Sequence, residues 1–196
     1  VTALALLLDA PEAGAAKPRL AAEIGAAPAA RLYRLLATRA LTAARAAGCE
    51  AVVWFRPPSA RSEMQQWLGA GVELRPQASG GLGARVAAAV AGSRLPAGWI
   101  ALVRDCAGID AALLGAAMDA LASFPLVVGP ASDGGIYLVG GRMAVPAAMR
   151  AMDDAGPGAL ARLRTALAGE GIAWSETPVL APIDSAADAR AARLLT

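Results

Sequence analysis

Short apolar runs alternate along the chain with longer Ala/Leu/Arg stretches of helical period, and this alternation constrains the fold more than any other feature. "ALALLL" (3–8), "EAVVWF" (50–55), "VELRP" (72–76), "WIALVR" (99–104), "PLVVGP" (125–130), "GIYLVGG" (135–141) and a segment near "IAWSET" (172–177) read as strands. The stretches 28–48, 59–69, 82–93, 109–124, 157–169 and 185–195 read as helices. Runs this short and this uniformly apolar are strands buried on both faces. Their alternation with helices predicts a mostly parallel sheet covered on both sides. The interval between "LVVGP" and "GIYLV" is too short for a helical crossover, so that pair is expected to be antiparallel or irregular. The expected fold is a doubly wound, mostly parallel α/β sheet with an irregular or antiparallel edge. At 196 residues it is expected to form one domain over 1–196.

Composition removes several function classes. Hydrophobic residues make up 57% of the chain and mean hydropathy is +0.48. Much of that is alanine, and no stretch approaches the roughly 18 strongly apolar residues of a membrane span. The opening "VTALALLLDAPEAGAA" imitates a signal peptide but lacks a basic start, and its apolar run stops at Asp9, so it reads as the first strand. The net charge of +2 comes from scattered arginines, and only 4% of residues are aromatic. A nucleic-acid partner is therefore not expected, because stacking platforms and a basic stripe are both missing. Cys49 and Cys106 are isolated and read as small buried thiols, with the cytoplasm as the expected location.

The chain contains no histidine. That excludes Ser-His-Asp and Cys-His catalysis and any imidazole zinc site, and two cysteines cannot build a structural zinc site either. A bound metal would have to be held by carboxylates, phosphates and water, which means Mg²⁺ or Mn²⁺. The inventory suits chemistry that positions a phosphorylated substrate and neutralises its charge.

In a sheet of this kind, ligands gather beyond the carboxyl ends of the strands. The first such loop, "DAPEAGAAKPRL" (9–20), reads as a long connection and holds Lys17, the single lysine among 18 basic residues, with Arg19 close behind. These two cations could grip a diphosphate or simply be solvated. "QASGGLGAR" (77–85) places Gln77, Gly80, Gly83 and Arg85 at a helix start. Such a loop permits close backbone approach to an anion or base, or forms an ordinary glycine turn. Asp105 follows a strongly apolar strand, and Asp110 is the better-placed cap for the next helix. Asp133, Gly134 and Gly135 form a turn sequence at another strand end. Asp184 precedes "SAAD", which resembles a capping box.

Taken in order, these loops resemble a small bacterial glycosyltransferase-like family with a nucleotide-diphospho-sugar transferase (GT-A) fold, a largely uncharacterised domain of unknown function. The family's "AK-P-x-x-G-x-x-K-T-R-L" is matched by Ala10, Pro11, Gly14, Lys17, Arg19 and Leu20. Its "Q-x-x-G-D-L-G-x-R" is matched by Gln77, Gly80, Leu82, Gly83 and Arg85. Its "G-T-D-C-P" keeps Asp105 and Cys106, and its "E-D-G-G-Y-Y-L-x-G" keeps Asp133, Gly134, Gly135, Tyr137 and Gly140. Its "D-x-D-T-P-E-D" keeps Asp184. Departures fall at Asp9, Pro18, Gly81, Arg104, Ala107 and Ser132.

The resemblance implies a metal-dependent, glycosyltransferase-like protein that binds a nucleotide or nucleotide sugar with Mg²⁺ or Mn²⁺. It implies that Asp105 and Asp184 hold the metal and that Asp105 and Asp133 are the catalytic carboxylates. Lys17, Arg19, Gln77, Gly80, Gly83 and Arg85 would face the nucleotide and its phosphates, and Gly134, Gly135 and Tyr137 the sugar or acceptor. Two alternatives stand beside it. One is a nucleotidyltransferase acting on a nucleoside triphosphate, and the other is a binding module that has kept the fold and lost rim residues.

Overall fold

The computed structural model describes residues 2–12, 16–92 and 98–195. Gly14, part of the first motif, lies outside the described residues, as does Ser93 at the end of the expected helix 82–93. Among the described residues seven strands form one sheet: β1 (Ala3–Asp9), β2 (Glu50–Arg56), β3 (Glu73–Pro76), β4 (Trp99–Leu102), β5 (Leu126–Pro130), β6 (Ile136–Gly141) and β7 (Trp174–Glu176). Their order across the sheet is β3-β2-β1-β4-β6-β5-β7. Strand β1 pairs in parallel with β2 and β4, and β2 in parallel with β3. The expected irregularity is β6, which lies between β4 and β5 and runs antiparallel to both. Its pairing with β5 shifts register between Gly129 and Pro130.

Both faces of the sheet are covered, which is why its strands read as uninterrupted apolar runs. Leu4, Leu6 and Leu8 of β1 turn to one face, with Val53, Phe55, Ile100 and Leu102. There they meet α2 (Ala26–Ala46), α3 (Arg61–Leu68) and α5 (Ala111–Ser123). Ala5 and Leu7 turn to the other face, with Val52, Trp54, Trp99 and Ala101. That face is covered by α4 (Leu82–Ala91), α6 (Ala147–Arg150) and α7 (Ala159–Gly169). The period-2 split of β1 thus feeds two cores from one strand.

A third apolar cluster joins α1 (Pro18–Ile24) and the start of α2 to α8 (Ala186–Ala191), through Leu20, Leu32, Leu36, Ile183 and Ala189. Helix α1 corrects the reading of 9–20 as one long connection. The chain turns helical at Pro18, whose missing N–H costs nothing at a first helical position, and stops at Gly25, whose φ is 92°. Helix α6 was not anticipated either, since one turn is too short to show a period. Among the described residues no helix is long and apolar enough to cross a membrane.

Candidate functional site

Three connections and one helix start bring charge to the carboxyl edge of the sheet. Strand β4 ends at Leu102, the Val103 N–H still donates to the Tyr137 carbonyl at 2.9 Å, and Arg104 and Asp105 then turn off the sheet. The β5–β6 turn carries Asp133. After β7 the chain runs back across the sheet: Leu180 N donates to Pro130 O at 3.1 Å and Ser132 N to Leu180 O at 2.9 Å. Ile183 N donates to Asp105 O at 3.3 Å, which sets Asp184 beside Asp105. Lys17 stands at the N-cap of α1 and faces both.

The capping alternatives for these aspartates are taken by neighbours. Asp110 caps α5 by accepting from Leu113 N at 2.8 Å. Ser185 and Asp188 form a full capping box on α8, with Asp188 N donating to Ser185 Oγ at 3.1 Å and Ser185 N to Asp188 Oδ2 at 2.8 Å. Asp105 and Asp184 are thereby left to the cleft.

There they enter an ion network. Lys17 Nζ lies 3.1 Å from Asp105 Oδ2 and 3.1 Å from Asp184 Oδ1. Arg104 reaches the other oxygen of Asp184 at 2.6 Å and grips Asp133 at 2.8 Å. Asp133 also accepts from Gly135 N at 3.0 Å. A Cβ on Gly135 would lie 2.5 Å from an Arg104 guanidinium nitrogen and 2.4 Å from Ala155 O, so glycine is needed there to let the arginine through. The Lys17 and Arg104 side chains are only 10% and 13% exposed, whereas Arg19, 3.6 Å from Asp184, is 76% exposed and free to meet a ligand.

Burial by itself would lower the Lys17 pKa, but the Asp105 and Asp184 charges outweigh it and the ammonium is held above its usual value. Burial likewise pushes Asp184 up, and Lys17 with Arg104 reverses the sign and holds its carboxyl below the usual range. Burial pushes the Tyr33 phenol well up, reinforced by Asp105 and Asp9, so it remains neutral. Its hydroxyl accepts from Asp9 N at 2.9 Å and donates to Asp9 O at 2.8 Å, which fixes the end of β1.

A cavity of about 300 Å³ opens among Asp9, Lys17, Arg19, Tyr33, Asp105 and Asp184. A second, of about 320 Å³, adjoins it across Asp9 and is lined by Ala10, Glu12, Arg56 and Pro57. Arg56 forms a two-pronged pair with Asp9, one contact at 3.1 Å. Each cavity is the size of a small-molecule site.

The structure therefore gathers Lys17, Arg19, Asp105 and Asp184 at one cavity and ties Asp133 and Gly135 to them through Arg104. The 77–85 segment makes structural contacts of its own. Gln77 is buried, and its Nε2 donates to Leu8 O and Trp54 O, each at 2.9 Å, stapling the ends of β1 and β2. Its Oε1 accepts from Arg85 at 2.7 Å, and the buried Arg85 Nε has no hydrogen-bond partner among the described residues. Burial lowers the Arg85 pKa, aided by Arg56 and opposed by Asp9. Gly80 has the left-handed φ of 105° that a side chain would resist. Gly83 lies against α6, where a Cβ would be 2.0 Å from Met149 O.

Gly134 O accepts from Gly158 N at 3.1 Å and Leu160 N at 3.2 Å, locking the turn to α7. Tyr137 is fully buried, its hydroxyl bonded to Thr177 and donating to Pro178 O at 3.0 Å, with its pKa pushed up to about 12 by burial. The structure gives it a place in the core. Arg104 and Tyr33 are the residues that sequence reasoning missed. Arg104 had a signal, being a charged residue immediately after an apolar strand, but it registered only as a departure from the family pattern.

For a divalent cation, the fit of the cleft is conditional. Asp105 and Asp184 are hard oxygen donors on one wall, and the Lys17 ammonium between them is a stand-in cation. Among the described residues no three His, Cys, Asp or Glu side chains cluster to hold a metal unaided. The donors thus suit an ion that brings phosphate oxygens with it.

The solved structures that resemble this chain share its fold. A protein of Desulfovibrio desulfuricans, provisionally named a nucleotide-diphospho-sugar transferase, is 20% identical with a TM-score of 0.82, covering 94% of this chain and 82% of that one. Rv0371c of Mycobacterium tuberculosis, in complex with manganese, is 16% identical with a TM-score of 0.60, covering 100% and 98%. CMP:2-keto-3-deoxy-manno-octonic acid synthetase, complexed with CTP, is 13% identical with a TM-score of 0.60, covering 99% of each chain. Comparison with proteins of curated function finds no match. The architecture is that of the nucleotide-diphospho-sugar transferases. Residues 38–154, more than half of the chain, match the model of the family described as "Uncharacterized protein conserved in bacteria (DUF2064)", and the chain belongs to that family.

Proposed function

We propose that this protein is a metal-dependent, glycosyltransferase-like enzyme that binds a nucleotide sugar through its diphosphate. The observation that carries the reading is the juxtaposition of Lys17 and Arg19 with Asp105 and Asp184 around one cavity at the carboxyl edge of the sheet. Charge-assisted bonds from a lysine and an arginine are the usual grip on a diphosphate. Lys17 and Arg19 take the phosphate oxygens. Asp105, with Asp184 beside it, would hold Mg²⁺ or Mn²⁺ against the same phosphates, and a bound ion would neutralise charge on the departing diphosphate.

Asp133, oriented by Arg104 and the Gly135 N–H, lies on the sugar and acceptor side, where a carboxylate can orient an acceptor hydroxyl and take its proton. The cavity at Asp9 and Arg56 leaves room for the nucleoside, and Arg85, near enough to feel both of those charges, is held by Gln77. The manganese and CTP complexes of proteins with this fold support both the cation and the nucleotide.

The test is a thermal-shift and calorimetric screen of nucleotides and nucleotide sugars with and without Mn²⁺. The expected result is stabilisation by a nucleoside diphosphate and its sugar, enhanced by Mn²⁺ and reduced in Asp105→Asn. No binding of any nucleotide in either condition would overturn it. The CTP-bound neighbour also favours a second reading, nucleotidyl transfer from a nucleoside triphosphate. Release of pyrophosphate from a triphosphate and a sugar phosphate would select it.

A further inference from the structure

The cation between Asp105 and Asp184 is part of the chain, and it stands where the reading above puts a divalent ion. Lys17 Nζ is 3.1 Å from an oxygen of each carboxylate, and Arg104 occupies the second oxygen of Asp184 at 2.6 Å. A divalent ion arriving alone would meet carboxylates already neutralised by an ammonium and a guanidinium. One or two aspartates hold such an ion weakly even when free.

Lys17 is also held in this position at some cost to the local backbone. Its φ of 55° and ψ of 60° are left-handed, a conformation uncommon for any residue with a Cβ. It occupies the N-cap of α1 without making a side-chain cap bond, and its left-handed backbone departs from the extended geometry of an ordinary capping residue. The position serves the ammonium rather than the helix. The two basic residues then differ in kind. Arg104 is a rigid planar fork spread over two carboxylates, whereas Lys17 is a point charge on a flexible four-carbon stem, able to change partners by bond rotation.

We propose that Lys17 is the resident counter-ion of this seat and is exchanged on ligand binding. Its ammonium pairs Asp105 with Asp184 in the nucleotide-free protein and moves to the diphosphate when a metal–nucleotide complex enters. Arg104 stays with Asp184 throughout. The exchange replaces the single charge of the ammonium with the double charge of the ion, so the carboxylates are never left unpaired. It also makes the free protein a poor ligand for divalent ions, so metal and nucleotide enter together. This inference rests on the nucleotide-diphosphate reading of the cleft.

The test is calorimetric titration of MnCl₂, without nucleotide, into wild type, Lys17→Met and Lys17→Met/Asp105→Asn. In parallel, ADP, CDP, GDP and UDP are titrated into wild type with Mn²⁺ present. Lys17→Met is expected to bind Mn²⁺ about tenfold or more tightly than wild type, the factor that one removed competing charge contact of ordinary strength supplies. The double variant should lose that gain. Mn²⁺ should also raise the melting temperature of Lys17→Met more than that of wild type. Lys17→Gln, which can still hydrogen-bond both carboxylates, gives the same readout if the methionine variant does not fold. Equal Mn²⁺ affinity in wild type and the Lys17 variant, or in the single and double variants, overturns the exchange. If wild type still binds a diphosphate with Mn²⁺, that outcome leaves the nucleotide reading intact. A Lys17→Met gain with no diphosphate bound by wild type overturns the nucleotide reading and leaves the competition between Lys17 and the ion.

Discussion

Two glycines in helices should respond to alanine with opposite signs, and the difference tests what the 77–85 segment is for. Gly83 sits in the first turn of α4, where a built Cβ would lie 2.0 Å from Met149 O, 2.5 Å from Arg150 O and 2.6 Å from the Arg150 carbonyl carbon. These are backbone atoms of α6 and cannot rotate aside. The same contact is tied by Gly83 N to Met152 O at 2.7 Å and Leu82 N to Asp153 O at 3.0 Å. Normal contact lies roughly 1 Å or more beyond the 2.0 Å approach, so the helices must part and weaken both bonds. Overpacking costs about 1–3 kcal/mol and each compromised hydrogen bond about 1, against a helix-propensity gain of at most about 1.

The net expectation for Gly83→Ala is a loss of about 3 kcal/mol, or about 6–12 °C in melting temperature for a chain of this size. Gly115, inside α5, has nothing among the described residues within 4 Å of a built Cβ. Gly115→Ala should therefore gain about 0.5–1 kcal/mol from reduced backbone entropy of the unfolded chain. Thermal and urea unfolding followed by far-UV circular dichroism read both. A Gly83→Ala protein as stable as wild type would refute the packing assignment. Nucleotide affinity measured well below its melting point shows whether this glycine also touches the ligand.

Arg19→Ala should weaken nucleotide binding about ten- to a hundredfold in calorimetry while moving stability by no more than about 0.5 kcal/mol, because the side chain is 76% exposed. An unchanged affinity would put the phosphates elsewhere. Asp184 has a folded pKa below its unfolded value, so its contribution is complete above the ordinary aspartate value of about 3.9 and is lost as pH falls through the folded value. Asp184→Asn should accordingly be about 2 kcal/mol less stable at neutral pH, less than the about 3–5 of a fully buried pair, and should show a shallower loss of stability in acid. An identical acid limb in both proteins would contradict this. Cys106 is buried and its thiol is pushed up to about 12, first by burial and then by Asp105. Iodoacetamide at about pH 8 should leave it unlabelled until urea unfolds the chain, and rapid native labelling would refute its placement.

The sequence by itself determined the layered architecture and the edge where the charged loops gather. Strands such as "ALALLL" and "WIALVR" carry their burial in composition, because a strand covered on both faces has no polar side to show. The spacing between "LVVGP" and "GIYLV" was enough to flag a reversed neighbour, and Asp110 was legible as a cap because capping is local. Only the tertiary structure decided which charges meet. Lys17 lies 167 residues from Asp184 and Arg104 lies 80 from it, and no local pattern encodes such pairings. Gly83 could not be read as a packing residue either, since the carbonyls that exclude its Cβ belong to α6, a single turn without a visible period. Tyr137 kept its place in a motif, but its depth in the core follows from β6 lying inside the sheet, between β4 and β5. Local propensity and periodicity survive in one dimension. Ion-pair partners and close backbone approaches exist only once distant segments are brought together.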